Sequence, residues 1–163
     1  MNSFLDVIRS LNGLRDEGIV REYAIAGAMA LIFWTEPTST FDLDVLISLD
    51  GPEPTIVSLE PIYNWAANHG YRVESEHVLI NGVPVQFLPA YNELTNEAIK
   101  TASSLDYEGV PVRVVRPEYL IALALDPPAK TARRKERAAA LAESAPIDTK
   151  LLEDIMGRYN LSW

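Results

Sequence analysis

Residues 41–47, Phe-Asp-Leu-Asp-Val-Leu-Ile, constrain the fold of this 163-residue chain more than any other segment. Side chains of an extended strand alternate between two faces, so Asp42 and Asp44 share one face while Leu43, Val45 and Ile47 line the other. A strand of this kind needs a sheet around it and helices on its apolar side. Just upstream, residues 22–26 (Glu-Tyr-Ala-Ile-Ala) read as a second strand. Gly27 then interrupts the extended pattern, and Ala28-Met29-Ala30-Leu31-Ile32 continues in good helix formers. A loop over residues 35–40, with Pro37 and several hydroxyl side chains, leads into the acidic strand. Strand, glycine, helix, loop and acidic strand in that order predict a mixed α/β architecture.

The flanking sequence extends this reading. Ser3 is placed to cap a first helix in which Phe4, Ile8, Leu11 and Leu14 recur at helical spacing, with Gly18 as its stop. Residues 56–68 read as a helix closed by Gly70, and residues 71–80 and 83–88 as a hairpin about the turn Asn81-Gly82. A helix is expected over 93–103, one further strand over 110–115, and helices over 118–125, 131–142 and 148–159. The expected organisation is a single domain over 1–163, with an α/β core over 1–115 and a C-terminal helical part over 116–163.

Composition narrows the chemistry. Apolar residues make up 48% and charged residues 23%, which excludes disordered and fibrous classes. With no cysteine, the chain lacks disulfides, a thiolate nucleophile and Cys-ligated zinc or iron–sulfur centres. The net charge of −9 opposes non-specific attraction to nucleic acid or an anionic membrane. No basic leader followed by an apolar run opens the sequence, and the longest nearly uncharged apolar stretch, 23–34, is shorter than the roughly 20 residues of a membrane span. The expected setting is cytoplasmic, with no membrane partner. P-loop, Gly-x-Ser-x-Gly and His-Glu-x-x-His segments are absent.

Two carboxylates on one strand face offer hard oxygen donors of the kind that hold Mg²⁺ together with substrate phosphates. A glycine at a strand-to-helix turn lets backbone N–H groups approach a phosphate, because no side chain stands in the way. With Ala26-Gly27-Ala28 in the turn and Phe41-Asp42-Leu43-Asp44-Val45 as the acidic strand, residues 20–125 resemble the nucleotidyltransferase superfamily of the DNA polymerase β type, including its minimal and toxin–antitoxin-like branches. The resemblance implies a mixed sheet flanked by helices and transfer of a nucleoside monophosphate from a nucleoside triphosphate to an acceptor hydroxyl on a protein, an RNA or a small molecule. It assigns Asp42 and Asp44 as catalytic residues and ligands of Mg²⁺ or Mn²⁺, and Gly27, Ala28 and Thr40 as nucleotide contacts. It places a third metal ligand on the strand 83–88, where related sequences carry Asp and this chain carries Gln86.

Gln86 departs from that pattern, as do Thr38 in place of an Arg and Ala28 in place of a Gly or Ser. An amide oxygen can ligate a hard cation but brings no charge and is no base for an attacking hydroxyl. The alternative reading is a degenerate member that binds nucleotide or a partner protein without turnover, within a toxin–antitoxin pair for example. Residues 130–137 hold five basic side chains, with Lys130, Arg134 and Arg137 on one helical face. That face suits phosphate groups or an RNA backbone, or else is a solvated surface balancing the acidic body. Glu93 and Glu97 read as surface groups complementing a helix dipole, His69 and His77 as loop or surface histidines, and the Trp and Tyr residues as packing groups.

Overall fold

The first helix, α1 (Ser3–Asp16), buries Val7, Ile8, Leu11 and Leu14 completely, and Gly18 at φ 79° turns the chain out of it. The computed structural model describes residues 3–34, 42–49, 59–127 and 131–163. Strand β1 (Glu22–Ala26) follows, then a single 3₁₀ turn (Ala28–Ala30) running into the short α2 (Leu31–Trp34). The acidic strand β2 (Leu43–Ser48) buries Leu43, Val45, Leu46 and Ile47. Helix α3 (Glu60–Asn68) forms within the expected 56–68, and residues 56–58 lie outside the described ones.

Residues 71–80 form two strands rather than one. Strand β3 (Arg72–Glu74) turns back into β4 (His77–Ile80) through Ser75 and Glu76, with Ser75 at φ 55° and Glu74 facing His77. The Asn81-Gly82 turn, with φ of 50° and 81°, joins β4 to β5 (Val83–Pro89) as expected of a primed turn. The helix expected over 93–103 is shorter: α4 (Glu93–Lys100) is followed by the unforeseen β6 (Ser103–Tyr107), which pairs with β7 (Val110–Val114) about Glu108-Gly109. An Asn92–Thr95 capping box fixes the start of α4, and Leu105 and Tyr107 alternate with exposed Ser104 and Asp106 in β6.

The seven strands form one mixed sheet in the order β3-β4-β5-β2-β1-β7-β6. Strand β2 is central, antiparallel to β1 and parallel to β5, while β1 runs parallel to β7. Beyond Arg116 the chain is helical: α5 (Pro117–Leu125), α6 (Ala132–Ser144) and α7 (Thr149–Arg158). Helix α5 is apolar nearly all round and buried, which makes it the inner helix against which α6 and α7 pack. Thr131 and Asp148 cap α6 and α7 through bonds from Arg134 N–H and Leu151 N–H.

Glu97, expected as a surface group complementing a helix dipole, is partly buried and tied into a network. Arg158 donates to both its oxygens at 2.9 and 2.8 Å, and the Tyr119 and Tyr159 hydroxyls donate to it at 2.6 and 3.3 Å, tying α4 to α5 and α7. The Arg158 guanidinium holds the Glu97 carboxyl down at about 2. Trp65 and Tyr119 are buried and Trp34 donates to Val115 O at 2.9 Å, whereas Trp163 is half exposed.

Candidate active site

The sheet register decides which side chains meet. Asp44 pairs with Ala26 of β1 on one side and with Gln86 of β5 on the other. Residues paired across adjacent strands present their side chains on the same face, so Gln86 stands directly beside Asp44. The primed turn sets Ile80, Leu79 and Val78 against Val83, Pro84 and Val85. The same register brings His77 alongside Gln86. Its Nε2 lies 4.0 Å from Asp42 Oδ2. Asp42 stands one residue ahead of β2 with 63% of its side chain exposed.

Asp44 is half-buried, and burial pushes its carboxyl above the usual range, helped by the nearby Asp42 charge. Arg134, His77 and Arg137 act the other way. These neighbours do not fully offset the burial of this carboxylate, and a bound cation would offset it further. Gly27 closes the site from the end of β1. Its φ of 62° and ψ of −157° suit glycine, and a Cβ there would sit 2.5 Å from Asp44 Oδ2. The turn and the carboxylate are thus fitted to each other. Ala28 begins the 3₁₀ turn, and with α2 only one turn long the helical dipole behind it is small.

Helix α6 supplies the wall opposite. Arg134 and Arg137 line a small cleft of about 50 Å³ together with Gly27, Leu31, Leu120, Leu123, Ala124 and Leu141. Arg137 is partly buried, and that burial together with the charges of Arg134 and Arg133 lowers its affinity for its proton. Like charges at i, i+3 and i, i+4 on a helix cost about 0.2–0.5 kcal/mol per pair. Two guanidiniums thus share this cleft, with the Asp44 carboxylate as a nearby counter-charge.

Asp42, Asp44, Gln86 and Gly27 come together at one end of the central strands, with Ala28 adjoining. Thr40, Thr38 and Lys130 lie outside the described residues. Among the described residues no three His, Cys, Asp or Glu side chains cluster as a metal site would require. The oxygen donors in place are therefore two carboxylates and one amide. His77 is the site residue that sequence reasoning passed over as a loop or surface histidine, whereas Arg134 and Arg137 belong to the basic face it had offered for phosphate groups. The register set by Asn81-Gly82 would have found His77, but no local signal shows which arginine of the basic run faces Gly27. Among the described residues no helix is long and apolar enough to cross a membrane.

Neither a protein-family model nor a curated protein matches the sequence. Solved structures do. The crystal structure of ANT(2″)-Ia in complex with adenylyl-2″-tobramycin is 17% identical with a TM-score of 0.58, over 98% of this chain and 98% of that one. The solution structure of the antibiotic-resistance factor ANT(2″)-Ia is 18% identical with a TM-score of 0.52, over 98% and 93%. An antigenic nucleotidyltransferase-like protein from Paracoccidioides brasiliensis is 14% identical with a TM-score of 0.61, over 93% and 84%. These likenesses identify the architecture as an α/β nucleotidyltransferase fold.

Proposed function

On a nucleotidyltransferase fold, we propose that this chain is a metal-dependent nucleotidyltransferase, moving a nucleoside monophosphate from a nucleoside triphosphate to an acceptor hydroxyl. The observation that supports it is the register that sets Asp44 between the Gly27 turn and Gln86, beside Asp42. Asp42 and Asp44, with the Gln86 amide oxygen, would hold Mg²⁺ or Mn²⁺, an ion that binds through one or two carboxylates plus substrate phosphates. The half-buried Asp44, with its raised proton affinity, fits a neighbouring cation. When bound, the ion neutralises charge developing on the phosphate.

The chain's own residues do the rest. The turn at Gly27 and Ala28 lets backbone approach the phosphates, and the fixed strand ends align the donor for in-line attack. The acceptor oxygen forms a bond to the α-phosphorus, the bond from that phosphorus to the bridging oxygen breaks, and pyrophosphate leaves with its electron pair. The hydroxyl proton passes to water, since the Gln86 amide cannot accept it. A small hydroxylated acceptor and an adenine nucleotide find support in the adenylylated antibiotic bound to one structural neighbour. We place the reaction in a soluble, cytoplasmic setting.

Incubation with radiolabelled nucleoside triphosphates, Mg²⁺ or Mn²⁺ and panels of protein, RNA and small-molecule acceptors tests this. Labelled product is expected from the wild type and not from Asp42→Asn or Asp44→Asn, each still folded. Full transfer by both variants would refute the site. The second reading, nucleotide or partner binding without turnover, is favoured by Gln86 in the third ligand position. It is supported if the wild type binds triphosphate with metal but transfers nothing.

A further inference from the structure

The row of side chains that crosses the sheet at Asp44 continues past Gln86. Strand pairing sets Asp44 against Gln86, the register of the Asn81-Gly82 turn sets Gln86 against His77, and β3 sets His77 against Glu74. Four polar side chains therefore stand in line on one face of β2, β5, β4 and β3, and Asp42, two residues ahead of Asp44, shares that face. Glu74, at the outer end, is bonded to Arg72 and has its counter-charge there. His77 has no such partner. Its side chain is only 23% exposed, yet among the described residues neither ring nitrogen makes a hydrogen bond. Partly buried imidazoles ordinarily satisfy those nitrogens.

His77 Nε2 stops short of Asp42 Oδ2. The 4.0 Å between them is too long for a hydrogen bond, which spans about 2.7–3.2 Å. Metal bonds to an imidazole nitrogen and to a carboxylate oxygen run to about 2.0–2.2 Å each, so one ion reaches two such donors separated by up to about 4.2 Å. The spacing that fails as a hydrogen bond thus suits a shared cation. The nitrogen also decides which cation. Mg²⁺ takes oxygen donors, whereas imidazole suits the later first-row ions, whose affinity for nitrogen and oxygen ligands rises from Mn²⁺ through Co²⁺. Gln86, an amide where a third carboxylate would favour a hard ion, leaves that bias unopposed.

We propose that His77 and Asp42 supply a nitrogen–oxygen pair of ligands that draws a divalent first-row transition ion, in preference to Mg²⁺, to the acidic end of β2. Among the described residues no third His, Cys, Asp or Glu closes on the same point, so the remaining coordination falls to solvent and substrate oxygens. The pair binds metal as a property of the free protein; that the ion serves phosphate chemistry rests on the nucleotidyl-transfer reading.

Metal alone, added to the chelator-treated full chain, tests it. Calorimetric titration is expected to show Co²⁺ binding at least about tenfold tighter than Mg²⁺. His77→Gln keeps an oxygen donor in place of the ring nitrogen, and should weaken Co²⁺ several-fold while leaving Mg²⁺ nearly unchanged. Asp42→Asn should weaken Co²⁺ as well. With Mn²⁺, electron spin-echo modulation from a directly bound imidazole nitrogen is expected. The chain has two histidines, so His69→Gln leaves His77 as the sole imidazole and should keep the modulation, reading His77 without altering it. The proposal is overturned if the wild type or His69→Gln shows no nitrogen modulation, if the modulation survives in His77→Gln, or if His77→Gln or Asp42→Asn binds Co²⁺ as the wild type does. Nitrogen coordination by His77 in a protein that transfers no nucleotide would uphold this site and refute the transfer reading. Mg²⁺-supported transfer without nitrogen coordination would do the reverse.

Discussion

Replacing Gly27 by alanine tests the fit between the turn and the acidic strand most directly. Gly27 lies at φ 62° and ψ −157°, a region essentially reserved for glycine, where an L side chain costs on the order of 1–3 kcal/mol. The new Cβ would also lie 2.5 Å from Asp44 Oδ2 and 3.1 Å from Asp44 Cβ and Cγ, so the carboxylate has to swing aside. Forcing that side chain off its rotamer adds about 1 kcal/mol. A loss of about 3 kcal/mol is expected for Gly27→Ala, equivalent to a fall in Tm of about 6–12 °C for a protein of this size. The control is Gly18→Ala: φ is 79° there with nothing within 4 Å, and the left-handed backbone alone costs about 1–2 kcal/mol. Adding Asp44→Ala removes the carboxylate from the path of the new methyl group. Urea unfolding of the two single variants and the double variant should then show a coupling energy of about 1 kcal/mol. If Gly27→Ala loses no more than Gly18→Ala and the cycle shows no coupling, the close approach of turn and carboxylate plays no part in stability and the reasoning fails.

Three further outcomes are expected. The Glu97 carboxyl, held at about 2 by Arg158, contributes stability that is complete above its ordinary value near 4.5 and disappears as pH falls through about 2. Glu97→Gln should therefore cost about 1–2 kcal/mol at pH 7, after screening by solvent, with the two unfolding curves converging between pH 4.5 and 2. Asp44 carries the opposite sign: burial raises its affinity for a proton, so ionising it opposes folding and stability falls as pH rises past the usual carboxylate range. In EDTA, Asp44→Asn should melt above the wild type at pH 7 and lose that advantage in acid; a lower melting temperature at pH 7 would contradict it. Gln86→Asp places a third carboxylate in register with Asp44, and Mn²⁺ titration followed by electron paramagnetic resonance should show tighter binding with triphosphate present.

Much of the site's scaffold was legible because its signals are local. Gly27 ends β1 at the expected residue, and the alternation of Leu43, Val45 and Ile47 marks the buried face of β2. The break at Ser75 was hidden because residues 71–80 contain no Gly or Pro to mark a turn, and a serine there occupies a left-handed conformation. Strand β6 was hidden by Thr101-Ala102-Ser103-Ser104, which reads as the frayed end of a helix until Leu105 and Tyr107 pair with β7. Glu97 meets a partner 61 residues away, and the facing of Arg134 and Arg137 toward Gly27 depends on how α6 packs against α5. Such contacts are written in tertiary packing rather than in any window of sequence.

The central position of β2 has a consequence for how the protein can diversify. Asp44 belongs to a backbone laced on both flanks, to β1 and to β5, so displacing it means rupturing the sheet. Amide protons in the middle of β2 should accordingly exchange with solvent only through global opening, at the slow limit for the molecule. A chemical centre anchored this way tolerates no retuning by small backbone drift. On the proposed transferase reading, new acceptors would be accommodated by exchanging surface side chains and loops around a fixed Asp44, which leaves the periphery free to vary while the hub stays constant.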